Sequence, residues 1–170
     1  MKWSEILEDK TLVDLPYKIE QDQWGNIVMS PASNKHGFIR TLLSMMLGQH
    51  SESGIAFVEC SIQTSKGVKV ADVIWASRQF FQNNGLETPY RSAPEICIEI
   101  RSPSNSMAEL KEKKELYFAR GAREVWICDE SGQIHFYNHI SAIERSTIFA
   151  TFPCDISDKI EDAGGHAPSI

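Results

Sequence analysis

The sequence predicts a mixed α/β (α+β) domain in which helices flank a mixed central β-sheet, with a β-hairpin on the N-terminal side. Three observations lead to this fold class. Short runs of β-branched residues alternate with longer helical patterns. Gly- and Asn-containing turns separate the runs. The chain has 170 residues, 42% hydrophobic and 24% charged, which suits one core. We therefore expect a single domain over residues 1–170.

The first elements are a hairpin and a helix. Apolar runs on both sides of the turn at residues 21–26 predict a hairpin over residues 17–29. Ser33 or Asn34 can cap a helix, whose apolar residues recur at helical spacing until Gly48. The residues that form this apolar stripe are Phe38, Ile39, Leu42, Leu43 and Met46.

Strands then dominate, with one further helix among them. Three runs predict strands at residues 54–62, 68–76 and 96–100. Ser104 or Ser106 can cap a helix at residues 107–120, which Gly121 ends. A second hairpin, with strands at residues 124–128 and 133–137, follows it. This order fits a mixed sheet with helices packed on it.

The charge argues against a nonspecific polyanion binder, because such affinity depends on Lys and Arg replacing counterions. The net charge is −6. Residues 101–123 nevertheless hold six basic and three acidic side chains, whereas residues 129–170 hold two basic and seven acidic ones. This asymmetry would let one face meet phosphate, although solvated helix charges give the same count.

The four cysteines, Cys60, Cys97, Cys128 and Cys154, are far apart and form no CxxC motif. We therefore expect free buried thiols in a reducing compartment and no zinc site. The first thirty residues lack the pattern of a secretory signal, and no run approaches 18 apolar residues. We expect a cytoplasmic protein with no membrane association.

Two acidic residues stand where strands should be apolar. Alternation places Asp72 in a row with Val68, Val70 and Ile74, and places Glu99 opposite the isoleucines of its strand. In an internal strand each carboxylate would need a cation. Mg²⁺ suits two such carboxylates, completed by water and substrate phosphate. The alternative is an exposed edge strand with solvated charges.

At these residues the sequence resembles the PD-(D/E)XK nuclease core, and more closely the Uma-two (putative restriction endonuclease) family. Asp72 is followed after 27 residues by Glu99 in Ile98-Glu-Ile-Arg-Ser-Pro-Ser104. The family's hairpin Glu is matched by Glu20, and its Ser-Pro-x-x-x-x-His segment by residues 30–36, ending at His36. The helix with an acid, a Lys and a Tyr at four-residue steps is matched by Glu109, Lys113 and Tyr117, before Gly121 and Glu124-Val-Trp126.

The sequence departs from the pattern at two positions. Ala71 replaces the Pro usual before the first metal-binding Asp, and Arg101 takes the position where the wider superfamily has Lys. Arg stays protonated, so Arg101 can hold phosphate but cannot act as a general base. Lys113 is the alternative for the site, and the sequence does not separate it from Lys114. A solvated ion pair of Glu109 with Lys113 is the competing interpretation.

The resemblance implies a restriction-endonuclease-like core and a Mg²⁺-dependent endonuclease, with Mn²⁺ as a substitute metal, that hydrolyses DNA phosphodiester bonds. Asp72, Glu99 and the Ile100 carbonyl would bind the metal, and Glu20 would complete its shell. Arg101 and Lys113 would stabilise the phosphate. His36 and Glu59 are weaker candidates.

Three further expectations concern partners and alternatives. A homodimer would suit paired cuts in a duplex. A protein that keeps the fold and binds nucleic acid or a partner without cleaving is the alternative. A purely structural or dimerising domain, whose charged residues pair only among themselves, is the third.

Overall fold

The computed structural model describes residues 1–164, so residues 165–170 of the predicted domain lie outside the described part. Its helices and strands follow the order α1 (Trp3–Glu8), β1 (Tyr17–Gln21), β2 (Ile27–Pro31), α2 (Asn34–His50), β3 (Ile55–Thr64), β4 (Gly67–Ala76), α3 (Arg78–Asn84), β5 (Ile96–Ile100), α4 (Met107–Ala119), β6 (Glu124–Cys128), β7 (Ile134–Tyr137), β8 (Ala142–Ile143) and α5 (Ser157–Gly164).

Six strands form one mixed sheet in the order β3-β4-β5-β6-β7-β8. Only β5 and β6 run parallel; the other neighbours are antiparallel. The parallel pair requires a crossover, and α4 supplies it. The predicted mixed sheet with flanking helices is thus confirmed.

The predicted N-terminal hairpin forms a separate two-stranded sheet of β1 and β2. Beneath it, Val68 and Val70 of β4 pack in one cluster with Trp3 and Ile6 of α1. This packing positions the hairpin over β4. The hairpin therefore belongs to the wall of the site and not to the main sheet.

Helices cover both faces of the sheet. On one face, α2 packs Ile39, Leu43, Met46 and Leu47 against β4, β5 and β6 in the largest cluster. On the other face, Tyr117 of α4 packs with residues such as Cys97 and Val125. Because both faces are covered, every residue of β5 and β6 is buried, as central parallel strands require.

The caps of the two long helices are those that the sequence predicts. The Ser33 hydroxyl accepts from the backbone N–H of His36, and the Ser106 hydroxyl accepts from that of Glu109. Helix α2 continues two residues beyond the predicted end at Gly48. Gly48 does not adopt the positive φ that would end the helix there.

All four cysteines are free, as expected, and three of them are buried. Cys154 is exposed, so the expectation of burial is wrong for this residue. It lies in the irregular segment before α5, where no sheet or helix covers it. No helix within residues 1–164 combines the length and the apolar character needed to cross a membrane.

Candidate active site

The pairing of strands β4 and β5 ends next to Asp72 and Glu99. Their ladder pairs Trp75 with Ile96 and ends where Val73 pairs with Ile98. Beyond this ladder, the Asp72 side chain accepts the next hydrogen bond: the backbone N–H of Ile100 donates to Asp72 Oδ2 at 2.7 Å. A carboxylate therefore replaces a backbone carbonyl as acceptor, and the gap between the strands becomes acidic.

Glu99 is fixed in the same way by a different donor. The hydroxyl of Tyr117, a buried residue of α4, donates to Glu99 Oε1 at 2.6 Å. Both acids are almost wholly buried, Asp72 at 1% and Glu99 at 3% exposure. Each carboxylate thus has one oxygen held by the protein, while Asp72 Oδ1 and Glu99 Oε2 face a shared space.

Glu20 enters this space from the hairpin. Its Oε1 accepts from the backbone N–H of Val70 at 2.8 Å and from Lys113 Nζ at 2.8 Å. The residue is 5% exposed, although alternation with Ile19 would have sent it to water in an isolated hairpin. The packing of β1 on β4 buries it. We call Glu20, Asp72 and Glu99 the acid cluster.

Lys18 lies at the centre of the acid cluster. Its Nζ is 2.7 Å from Asp72 Oδ1, 3.4 Å from Glu99 Oε2 and 3.9 Å from Glu20 Oε1. Lys18 was not among the residues predicted for the site. The available signal was its position two residues before Glu20 on the same strand, which places both side chains on one face.

Lys113, and not Lys114, reaches the acid cluster. Lys113 is 5% exposed and its Nζ contacts Glu20 and, at 3.4 Å, Glu99. Lys114 instead lies over the Tyr137 ring, with Nζ 4.5 Å from the centroid. The competing interpretation, a solvated pair of Lys113 with Glu109, is wrong, because Lys113 contacts these two buried carboxylates instead.

The two weaker histidine and glutamate candidates differ. His36, in the first turn of α2, places Nε2 3.2 Å from Asp72 Oδ1. Glu59 is exposed and its Oε1 accepts from Arg40 at 2.6 Å. His36 thus touches the acid cluster, whereas Glu59 lies at the wall of the cavity beside it.

Arg101 lies outside the buried part of the site. Strand β5 ends at Ile100, and Arg101 is exposed just beyond it. Its side chain makes no hydrogen bond or ion pair with residues 1–164, so the arrangement on one strand face with Glu99, expected from alternation, does not extend to it. Ile100 directly follows Glu99 at the end of β5, and its backbone N–H donates to Asp72 Oδ2.

Electrostatics keep most of these groups charged. Burial disfavours the charged form of Asp72, but the Lys18 ammonium and the hydrogen bond from His36 outweigh it and lower its pKa. Burial likewise disfavours the Lys18 ammonium, yet Glu99, Asp72 and Glu20 together raise its pKa. Glu99 differs, because burial, with the repulsion of Asp72 and Glu20, outweighs both lysines and raises its pKa.

The donor set fits a divalent cation held by two carboxylates. Asp72 Oδ1 and Glu99 Oε2 already share one cationic group, the Lys18 ammonium. Hard carboxylate oxygens suit Mg²⁺, which needs only one or two of them beside water and phosphate. Within the described chain, no three Asp, Glu, His or Cys side chains have the spacing of metal ligands. Asp72 and Glu99 would supply the two carboxylates, and water, phosphate and further oxygen donors would complete the shell.

A cavity of about 160 Å³ opens onto the acid cluster. Asp72, Glu99, Lys113 and His36 form one side of it, and Ser102 and Asn105 contribute hydroxyl and amide groups. Since each water takes about 30 Å³ of liquid volume, the space holds a phosphate-sized group with a few waters.

Comparison with known proteins bears on the fold. The family model Uma2, described as putative restriction endonuclease, matches residues 13–148. The crystal structure of a protein from Anabaena variabilis ATCC 29413, described as a putative nuclease belonging to DUF820, is similar with a TM-score of 0.68. It is 16% identical, and the match covers 84% of this chain and 88% of that chain. No curated protein matches the sequence. The predicted restriction-endonuclease-like fold is confirmed.

Proposed function

Because the chain belongs to the Uma2 family of putative restriction endonucleases, we propose that it is a Mg²⁺-dependent nuclease that hydrolyses phosphodiester bonds in DNA. Its catalytic residues are Asp72, Glu99, Glu20 and Lys113, with the exposed Arg101 as a phosphate contact. Mn²⁺ would substitute for Mg²⁺, since both accept carboxylate oxygens.

The observation that carries the proposal is the arrangement of the carboxylate oxygens. Asp72 Oδ2 is held by the Ile100 N–H and Glu99 Oε1 by the Tyr117 hydroxyl. The remaining oxygens, Asp72 Oδ1 and Glu99 Oε2, converge on one cation. Hydrogen bonds of this kind orient the ligands of a metal centre before the metal binds.

Asp72 and Glu99 would hold the metal, with Glu20 and the Ile100 carbonyl as further oxygen donors. When bound, Mg²⁺ supplies polarisation of the scissile phosphate and a lower pKa for the attacking water. Lys113, positioned by Glu20 and Glu99, would donate to a phosphate oxygen and stabilise the charge that develops there. Arg101 would contact a phosphate from the solvent side without accepting a proton.

The test is nicking of supercoiled plasmid in Mg²⁺, compared with the same reaction in a chelator. We expect Glu99→Gln and Asp72→Asn to lose more than about a hundredfold in rate, beyond the 10–100-fold typical of residues that only support metal ligands. Glu115→Gln is the control, because Glu115 is an exposed acid on α4 that pairs only with Lys114.

Circular dichroism and thermal unfolding of each variant exclude loss of fold as the cause. Wild-type nicking that continues in chelator, or equal nicking by wild type and Glu99→Gln, contradicts the proposal.

A second candidate function is favoured by one observation, the Lys18 ammonium between Asp72 and Glu99. A lysine in the cation position is what a protein that binds nucleic acid but has lost cleavage would contain. In that case the protein would retain plasmid binding and show no metal-dependent nicking. The same plasmid experiment, with binding measured by gel shift, therefore separates the two functions.

A further inference from the structure

A second and larger cavity, of about 450 Å³, lies beside the acid cluster. We call it the side cavity. It lies between α1 with the turn that follows it, β1, β3 and the loop after α3, and aromatic rings of Trp3, Tyr17, Phe57 and Tyr90 contribute to its walls. Its volume falls in the range of small-molecule sites, roughly 300–1,000 Å³.

The side cavity adjoins the cavity at the acid cluster. Three residues, Tyr17, Lys18 and Glu59, line both. The Lys18 ammonium that contacts Asp72 therefore stands at the boundary between them. If a phosphate of a nucleic-acid strand lies at the acid cluster, the nucleoside attached to that phosphate would reach the side cavity.

The charges of the side cavity disfavour a phosphate and favour a neutral ring. Asp9, Glu59 and Glu87 line it, and Lys18 is its one cation among the lining residues. Lys18 is already engaged with the acid cluster. Carboxylates repel phosphate but accept hydrogen bonds from the amino groups of nucleobases, as Asp and Glu do with cytosine.

The backbone is strained where the two cavities meet. Glu59 has φ +58°, in the left-handed region that a non-glycine residue seldom adopts. The β3–β4 ladder pairs Val58 and Cys60, on either side of it, but not Glu59 itself. Strain of this kind concentrates at ligand sites. Here it places a carboxylate at the wall shared by the two cavities.

Resting on the nuclease function proposed above, we propose that the side cavity accepts one unstacked nucleobase of the substrate, next to the phosphate that is cleaved. The aromatic walls would stack with the base. The Oε2 atoms of Glu59 and Glu87, whose Oε1 atoms pair with Arg40 and Arg91, would accept from its amino group. The substrate class is then nucleic acid in which one base leaves the stack, a requirement that also makes unpaired bases the preferred targets.

The test compares binding to two duplexes in chelator, where no cleavage occurs. One duplex carries a single bulged adenosine, and the other carries an abasic site at the bulge. We expect wild type to bind the adenosine duplex about tenfold more tightly, the factor that stacking of one base on aromatic side chains supplies. Plasmid nicking in Mg²⁺ is measured in parallel.

Ser61→Tyr fills the side cavity, because Ser61 lines it, and should bring the ratio of the two affinities close to one. Gln63→Tyr, two residues further along β3 and outside both cavities, is the matched control and should keep the wild-type ratio. Leu86→Asp, at a rim position that is 85% exposed, tests the cavity again if Ser61→Tyr does not fold.

The two proposals fail in different ways. If the protein nicks plasmid but shows no preference for the adenosine duplex, the base site is wrong and the nuclease function is supported. The same conclusion follows if the preference exists but is unchanged in Ser61→Tyr and Leu86→Asp. A preference that Ser61→Tyr or Leu86→Asp removes, without any nicking, supports the base site and overturns cleavage. Absence of both overturns both.

Discussion

Lys18 lies among the carboxylates of the acid cluster and would compete with a metal ion for them. Its ammonium contacts Asp72 and Glu99 in the position that a metal ion would take. Metal binding must therefore displace it. We predict that Lys18→Met binds Mg²⁺ about tenfold more tightly, which corresponds to about 1.4 kcal/mol, because the competing cation is gone.

Isothermal titration without nucleic acid measures this affinity. Lys111→Met, which removes an exposed lysine of α4, is the control and should match wild type. Unchanged or weaker binding by Lys18→Met would show that the ammonium does not compete with the metal.

Tyr117 positions Glu99 through a single hydrogen bond. Tyr117→Phe keeps the ring and removes the donor to Glu99 Oε1, which leaves a buried acceptor unpaired. We predict a loss of about 1–3 kcal/mol in the free energy of unfolding, together with weaker Mg²⁺ binding. Urea unfolding and calorimetry measure the two effects, and Tyr137→Phe, outside the acid cluster, is the control. A change in stability without any change in metal affinity would make Tyr117 merely structural.

Alternation singled out Asp72, because a carboxylate in an apolar row stands out in one sequence. Glu99 lay on the face opposite the isoleucines of its strand, and the family pattern was needed to choose it over an exposed edge-strand residue. Lys18 and His36 were harder to find. Their distances to Asp72 depend on how the hairpin and α2 dock on β4, and no local pattern encodes docking. Arg101 shows the opposite error, since alternation was carried one residue past the end of β5.

At the scale of elements, the hairpin is held against β4 by a close approach at Gly67. Gly67 has φ +83°, and a Cβ there would lie 2.3 Å from the carbonyl oxygens of Gln21 and Asp22. Gly67→Ala should therefore cost more than the roughly 1–2 kcal/mol of a left-handed alanine, and it should weaken metal binding by shifting Glu20.

Gly121→Ala is the control that separates the cost of a positive φ from the cost of a steric clash at the added Cβ. Gly121 also has a positive φ, +100°, but nothing lies near the added Cβ. Chemical denaturation of both variants measures the difference. Equal losses of stability would mean that the contact with the hairpin turn carries no energetic weight.

Glu124 joins β6 to the segment that follows β8. Its Oε1 accepts from the backbone N–H and the hydroxyl of Thr147, and its Oε2 accepts from the Trp126 indole. Burial disfavours the charged form, but these hydrogen bonds outweigh it and lower the pKa of Glu124. Glu124→Gln replaces one carboxylate oxygen with an NH₂ group, which would face the N–H or O–H donors that the oxygen now accepts from. We therefore predict that the free energy of unfolding falls by about 1.5–3 kcal/mol at neutral pH.

The pH dependence has a definite sign. A lowered folded-state pKa gives stability that is present above the unfolded-state pKa, near 4.5 for Glu, and is lost as the pH falls through the folded value. The gap in unfolding free energy between wild type and Glu124→Gln should therefore narrow below that pH. Glu144→Gln, an exposed neighbour, should show almost no gap at any pH. A gap that widens in acid would contradict the assignment.

Element prediction succeeded where patterns were long and capped. Helix α2 has a serine cap and a clear apolar stripe, and β4 and β5 are dense in β-branched residues. Helices α1 and α3 have only six and seven residues and were not predicted. Such short helices depend on tertiary packing, here of Trp3 and Phe80, more than on their own sequence.

For the whole molecule, the site exists only when distant segments come together. Lys18 and Glu99 are separated by 81 positions in the chain, and Lys113 and Glu20 by 93. Five elements contribute the site: β1, α2, β4, β5 and α4. The family pattern brought these segments to notice in the right order, whereas their distances required the folded chain.

The proposed function requires that Asp72 and Glu99 bind a divalent cation. Titration of the full chain with Mg²⁺, followed by calorimetry, tests it most directly, with Glu99→Gln beside wild type and Glu115→Gln as control. We expect saturable binding for wild type and Glu115→Gln and at least about tenfold weaker binding for Glu99→Gln. Equal affinity of all three proteins, or no binding by wild type, would contradict it.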